Sequence, residues 1–191
     1  MRLRLSVLIR ATAALAGCAA LTALTAIAVL GCAGRTGKAA IAPATRDDFH
    51  QVPLVGLTGD AHRLSELLDG RPALLSLWAP WCAPCVKELP ELDRLARQVG
   101  ACHGTVLGVA VGESPATLGA FVRERGLGYP QLTDQSFRLS DALDQHRIPA
   151  LLVLDAAGRV VYAGGALDRR ARQAFSAALA AGPGADRCPP L

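Results

Sequence analysis

Cys82-Ala83-Pro84-Cys85 is the group of residues in this chain best suited to chemistry. Two sulfurs separated by two residues can attack a disulfide, hold the resulting mixed disulfide, and close on each other to release the partner. The pair ends an apolar run, Ala73-Leu74-Leu75-Ser76-Leu77-Trp78, and opens a segment with helical periodicity. A strand would therefore deliver the sulfurs to a sheet edge, and a helix starting there would aim free N–H groups and its positive dipole end at Cys82. That setting favours thiolate at Cys82, with Cys85 one turn along as the resolving thiol. Pro84 falls near the first helical position, where its missing N–H costs little and its ring stiffens the turn. Trp81, flanking Cys82, is the aromatic best placed to meet a substrate, whereas Trp78 lies within the apolar run.

Other uses of a Cys-x-x-Cys fit poorly. A c-type haem site needs His directly after the second Cys, and Val86 stands there. A zinc ribbon needs a second such pair, but only Cys102 and Cys188 follow. His50, His62, His103 and His146 stand at no ligand spacing and read as surface residues, so no metal site is expected. An inert bridge over so short a loop would constrain the unfolded chain less than a long one. Copper carriage through Cys82 and Cys85 stays open as an alternative, since soft thiolates suit Cu(I).

Elements that could position the pair are legible on both sides of it. Val52 to Leu57 reads as a short edge strand because Pro53 cannot serve a central one, and Thr58-Gly59-Asp60 turns the chain. Leu64, Leu67 and Leu68 recur at helical spacing up to Gly70-Arg71-Pro72. Residues 73–78 form a buried strand and residues 83–99 the redox helix, bent by Pro90. Thr105 to Val111 reads as a central parallel strand, and Pro115 to Arg125 as a helix capped by Ser114. A short helix follows at residues 137–144, then a hairpin of residues 150–154 and 160–162, then a last helix at residues 168–181. The expected fold is α/β: a central mixed β-sheet with helices on both faces.

The N-terminus has a different character. Arg2, Arg4 and Arg10 precede residues 11–33, which carry no charge and number 23, enough to span a bilayer as a helix. Residues 1–34 are read as a signal or membrane anchor that places the rest of the chain outside the cytoplasm. Two sites resemble the bacterial lipoprotein-processing motif, Cys18 and Cys32; cleavage before Cys18 leaves a second apolar stretch, so Cys32 is the better candidate for lipid attachment. Lipoprotein and retained anchor both stand. Residues 35–45 read as a tether, and residues 46–191 as one domain with room for a core. The net charge of +4 comes wholly from Arg2, Arg4, Arg10 and Arg35; the remaining 16 basic side chains match the 16 acids, which argues against nucleic acid as a partner.

Trp81-Cys82-Ala83-Pro84-Cys85 ahead of a helix, with Ile148-Pro149 ahead of a hairpin, resembles the thioredoxin superfamily over residues 46–181. The exported N-terminus, Glu88 three residues after Cys85, and Val111-Gly112-Glu113-Ser114 after the next strand are similar to its membrane-anchored, extracytoplasmic TlpA/ResA-like branch. The resemblance implies a thioredoxin-like fold, a cis Pro149 packed across from Cys82, and Glu88 and Glu113 in the active-site neighbourhood. Ile148 and Pro149 would then contact substrate. Cytoplasmic thioredoxins carry a buried Asp where this chain has Ser76, and Glu88 is the residue expected to take over proton exchange. Ala150 and Leu151 stand where relatives usually have a hydroxyl residue and an aromatic. A related peroxidase would need Thr where Ala79 stands. The implied activity is extracytoplasmic thiol–disulfide exchange, with reduction of selected protein disulfides ahead of general oxidation. Implied clients are apocytochrome cysteines or copper-centre assembly proteins, on the extracytoplasmic face of a bacterial inner membrane. An integral-membrane thiol would supply electrons, and no cofactor beyond the Cys82–Cys85 couple is needed. In an oxidising compartment, Cys102 and Cys188 are expected to form a second, structural disulfide.

Overall fold

The computed structural model describes residues 46–188. The segments read as anchor (1–34) and tether (35–45), with Cys32, lie outside these residues. A 3₁₀ turn at Arg46–Gln51 leads into seven strands and five helices. They are β1 (Pro53–Gly56), β2 (Ala61–Arg63), α1 (Leu64–Leu68), β3 (Ala73–Trp78), α2 (Ala83–Gly100), β4 (Thr105–Val111), α3 (Pro115–Arg125), β5 (Gln131–Asp134), α4 (Arg138–Ala142), β6 (Ala150–Leu154), β7 (Val160–Gly164) and α5 (Arg169–Ala181). The strands form one mixed sheet in the order β2-β1-β5-β4-β3-β6-β7. β3, β4 and β5 are parallel, and the flanking pairs are antiparallel.

Each face of the sheet has its own apolar layer. Leu74 and Trp78 of β3, Val106 and Ala110 of β4, and Leu151 and Val153 of β6 pack under α2, α3 and α5, with Phe175 fully buried. Leu75 and Leu77, Leu107 and Val109, and Leu152 and Leu154 pack on the other face with Leu64, Leu68, Leu139 and Phe49. Burial on both faces explains why β3 and β6 read as unbroken apolar runs rather than alternating ones. Truncating one of these leucines, Leu75→Ala for example, removes about 2–5 kcal/mol of stability through lost burial and the cavity left behind.

Three strands depart from the sequence expectation. β1 is not at the edge: β2 pairs outside it, and β5 inside. Pro53 is tolerated because it is the first residue of β1, paired only toward Arg63 of β2, while β5 pairs with Val55 and Gly56. β5 itself, Gln-Leu-Thr-Asp, is wholly buried yet carries no apolar run, which is why its sequence reads as loop. The helices fall where their periodicity places them. α2 runs continuously through Pro90, and Ser114 caps α3 by accepting a hydrogen bond from the Thr117 N–H at 3.1 Å.

Candidate active site

The parallel strands β3, β4 and β5 end at one side of the sheet, and the loops that leave them there carry Trp81-Cys82, Gly112-Glu113 and Phe137. Cys82 and Cys85 are joined in a disulfide with their Cα atoms 5.3 Å apart. Both are buried, whereas Trp81 beside them is 70% exposed. Cys82 is the N-cap of α2, and its Sγ accepts a hydrogen bond from the Cys85 N–H at 3.3 Å. In the reduced protein the same N–H and the same helix dipole would face a Cys82 thiolate. Pro84 occupies the first turn of α2, where it displaces no helical hydrogen bond.

Glu88 sits on α2 one turn beyond Cys85, half-buried. Its Oε1 accepts a hydrogen bond from the Leu167 N–H at 3.0 Å, which ties the redox helix to the segment between β7 and α5. Burial pushes the Glu88 carboxyl above its ordinary range. The Leu167 N–H opposes that shift, and the neighbouring Glu91 and Asp168 add to it. A carboxyl held this way gives up its proton later than a solvated one and is a candidate to take a proton from Cys85. Asp168, the N-cap of α5, goes the other way: the Ala171 N–H at 2.9 Å holds its carboxyl below the usual range.

The Ile148–Pro149 peptide is cis. Ala150 pairs with Leu77 in the antiparallel β3–β6 ladder, so Pro149 stands level with Trp78 at the end of the sheet where Cys82 emerges. Glu113 follows β4 at that same end. Trp78 is fully buried, and its indole Nε1 donates to Gln131 Oε1 at 3.1 Å. Gln131 reaches it across Gly108, where a Cβ would lie 2.1 Å from the Gln131 Oε1. Ser76, Gly108 and Gln131 form one row across β3, β4 and β5 beneath α2. Gln131 was not legible as a site neighbour, because its strand was not. Among the described residues no group of three or more metal-ligating side chains stands together, and His146 lies 3.2 Å from Asp144 on the surface.

Cys102 and Cys188 lie away from this edge. Cys102 is fully buried just past α2, Cys188 is half-buried, and both pack on the core layer under α2 and α5. The two sulfurs are not bonded to each other in this structure.

Residues 45–163 match the AhpC/TSA family. The chain belongs to that family. It is 31% identical to the thiol-disulfide oxidoreductase ResA of Geobacillus kaustophilus over 124 residues, 64% of this chain and 69% of that protein. Among solved structures it resembles a secreted Mycobacterium tuberculosis disulfide oxidoreductase homologous to E. coli DsbE, at 25% identity and a TM-score of 0.57, covering 71% of this chain and 98% of that one. The exposed lipoprotein thioredoxin Etrx1 of Streptococcus pneumoniae is 29% identical with a TM-score of 0.54, covering 67% and 96%. Sheet order, the Cys82–Cys85 pair on α2 and these likenesses agree: the chain is a thioredoxin-like thiol–disulfide oxidoreductase of the ResA/TlpA type.

Proposed function

We propose that this family member works outside the cytoplasm, tethered to the membrane by residues 1–34, as a reductase of selected protein disulfides. The observation that carries the reading is the cap geometry, Cys82 Sγ receiving the Cys85 N–H at 3.3 Å, with Glu88 one turn further along α2. In the reduced protein the Cys82 thiolate attacks one sulfur of the client disulfide. A Cys82–client bond forms, the client S–S bond breaks, and the second client sulfur leaves as thiolate. Cys85 then loses its proton, with Glu88 as acceptor, and attacks Cys82. The Cys82–Cys85 bond closes, the mixed disulfide breaks, and two electrons have passed to the client. The oxidised pair of the structure is the product state, and an integral-membrane thiol donor returns it to the dithiol.

Clients of the apocytochrome or copper-assembly type suit this role because their cysteines must be reduced in an oxidising space. Localisation rests on the arginine-flanked apolar segment of residues 1–34, with Cys32 as the lipid site if the segment is cleaved. Trp81, Ile148 and Pro149 form the client-facing rim, and Glu113 lies beside it. Cys102 and Cys188 pair as a structural disulfide in the exported protein, a reading supported by their packing on one core layer. The reduction potential of the Cys82/Cys85 couple tests the direction. A value near that of cytoplasmic thioredoxin, about −270 mV, supports a reductase, and one near −120 mV makes the protein an oxidant.

A further inference from the structure

Four large apolar side chains are exposed among the described residues: Trp81, Phe137, Val160 and Val161. The two valines belong to edge strand β7, whereas Trp81 and Phe137 leave the same end of the sheet as the disulfide. Trp81 follows β3 and Phe137 follows β5, one strand to either side of β4. Two strand spacings separate their starting points by ~10 Å, a distance one extended polypeptide crosses in about three residues.

Phe137 is also held where a bulky residue rarely rests. Its φ of 59° is left-handed, a region most side chains avoid, and the residue remains 48% exposed. The loop that imposes this is anchored by buried Asp134, whose Oδ2 accepts hydrogen bonds from the Leu139 N–H, the Ser140 N–H and the Ser140 hydroxyl at 3.0–3.1 Å. The ring lies on the backbone of Gly112, where an added Cβ would come within 2.8 Å of its Cζ. Core packing gives no reason to fix an aromatic in an unfavourable backbone state with half its surface in water. Such outliers cluster where a ligand is met. Meanwhile Ala150 and Leu151, following Pro149, are buried and offer no aromatic to a client.

We propose that Trp81 and Phe137 are the two walls of a client platform, beside Cys82, that selects disulfides flanked by large apolar residues in an extended segment. This deepens the proposed function and rests on it. The full-length reduced protein is given two synthetic peptides, each with one internal disulfide, one flanked by Leu and Phe and the other by Gly and Ser. The wild type should prefer the apolar peptide in kcat/KM. Phe137→Asn removes the ring while suiting the left-handed backbone, and it should cut that preference about fivefold or more, through KM, as loss of a binding anchor does. Phe137→Leu should keep most of the preference. A preference that stays within twofold of wild type in Phe137→Asn overturns the platform. Equal use of both peptides by the wild type overturns it too while leaving the oxidoreductase reading intact, whereas exchange with neither peptide removes that reading as well.

Discussion

The N-terminal and C-terminal ends of α2 each have a cysteine beside them, in opposite settings. At the start, Cys82 and Cys85 are three positions apart, bonded, next to exposed Trp81, and beneath a helix terminus that stabilises negative sulfur. Past the far end, Cys102 is sealed into the core, and its proposed partner Cys188 is separated from it by about 85 residues of chain. The close approach of the two helix ends there is visible in Gly104, where a Cβ would meet Leu179 of α5 at 2.5 Å. A short loop contributes little entropy to its own bridge, so the first pair opens and closes cheaply. A long loop contributes much, so a bridge at the second site would hold. With the proposed bridge in place, one helix separates exchange chemistry from anchoring.

The most damaging way to break the comparison is to remove the attacking sulfur. Cys82→Ser should abolish reduction of insulin disulfides, while Cys85→Ser should accumulate a mixed disulfide with the client that a gel without reductant reveals. Activity retained in Cys82→Ser but lost in Cys85→Ser would invert the roles and remove the helix-terminus argument. The next largest effect belongs to the other end. In the oxidised, exported protein, Cys102→Ser should lower unfolding free energy by up to about 4 to 5 kcal/mol, less any strain the bridge carries. Stepwise reduction checks it independently: two thiols should be labelled first, from Cys82 and Cys85, and two more only under harsher conditions. Ready alkylation of Cys102 and Cys188 in the oxidised protein, under denaturant without reductant, would sink the bridge.

Glu88 sharpens the contrast because it belongs to the exchange end alone. Glu88→Gln should slow the release of client by Cys85 about tenfold to a hundredfold and flatten the rise of rate with pH, since the neutral amide cannot accept the proton. The sign for stability is opposite to that of an ordinary paired carboxylate. With its folded pKa raised by burial, the native state binds this proton more tightly than the unfolded chain does. Stability therefore falls as pH rises through the window between the ordinary carboxylate value and the raised one. Denaturation midpoints across mildly acidic pH should show that loss in the wild type and a smaller one in Glu88→Gln. Matching pH profiles for rate and stability would leave Glu88 as a tether to Leu167 only.

What the sequence made legible follows from how each element is held. β3, β4 and β6 are buried on both faces, so their apolar runs announce them; α2, α3 and α5 carry caps and periodic apolar faces. Cys82 and Cys85 were legible because the chemistry depends on spacing within one segment. β2 and β5 were not, since one is three residues long and the other is polar in sequence, held by pairing rather than by its own apolar content. The unread residues of the site have the same cause. Gln131, the Leu167 N–H and Phe137 reach their partners 53, 79 and 25 positions away, respectively, and no local pattern records that.

The smallest expected effect lies between the two ends, at Gln131. Its Oε1 is the acceptor for the buried Trp78 indole, while its Nε2 is buried without a hydrogen-bond partner among the described residues. Gln131→Leu would remove one orphaned donor and create another at Trp78 Nε1, so the two costs partly offset. A net loss of about 1 kcal/mol is expected. Trp78 leads directly into the loop bearing Trp81 and Cys82, so freeing its indole should loosen that loop. The expected signature is a shifted or broadened indole N–H resonance for Trp78, with a rise in KM for protein disulfides of about twofold to threefold, corresponding to less than 1 kcal/mol of binding. Gly108→Ala should reproduce the same resonance change from the opposite side, because its new Cβ would displace Gln131. An unchanged Trp78 resonance in both variants would show that the redox loop holds its position without the Gln131 contact.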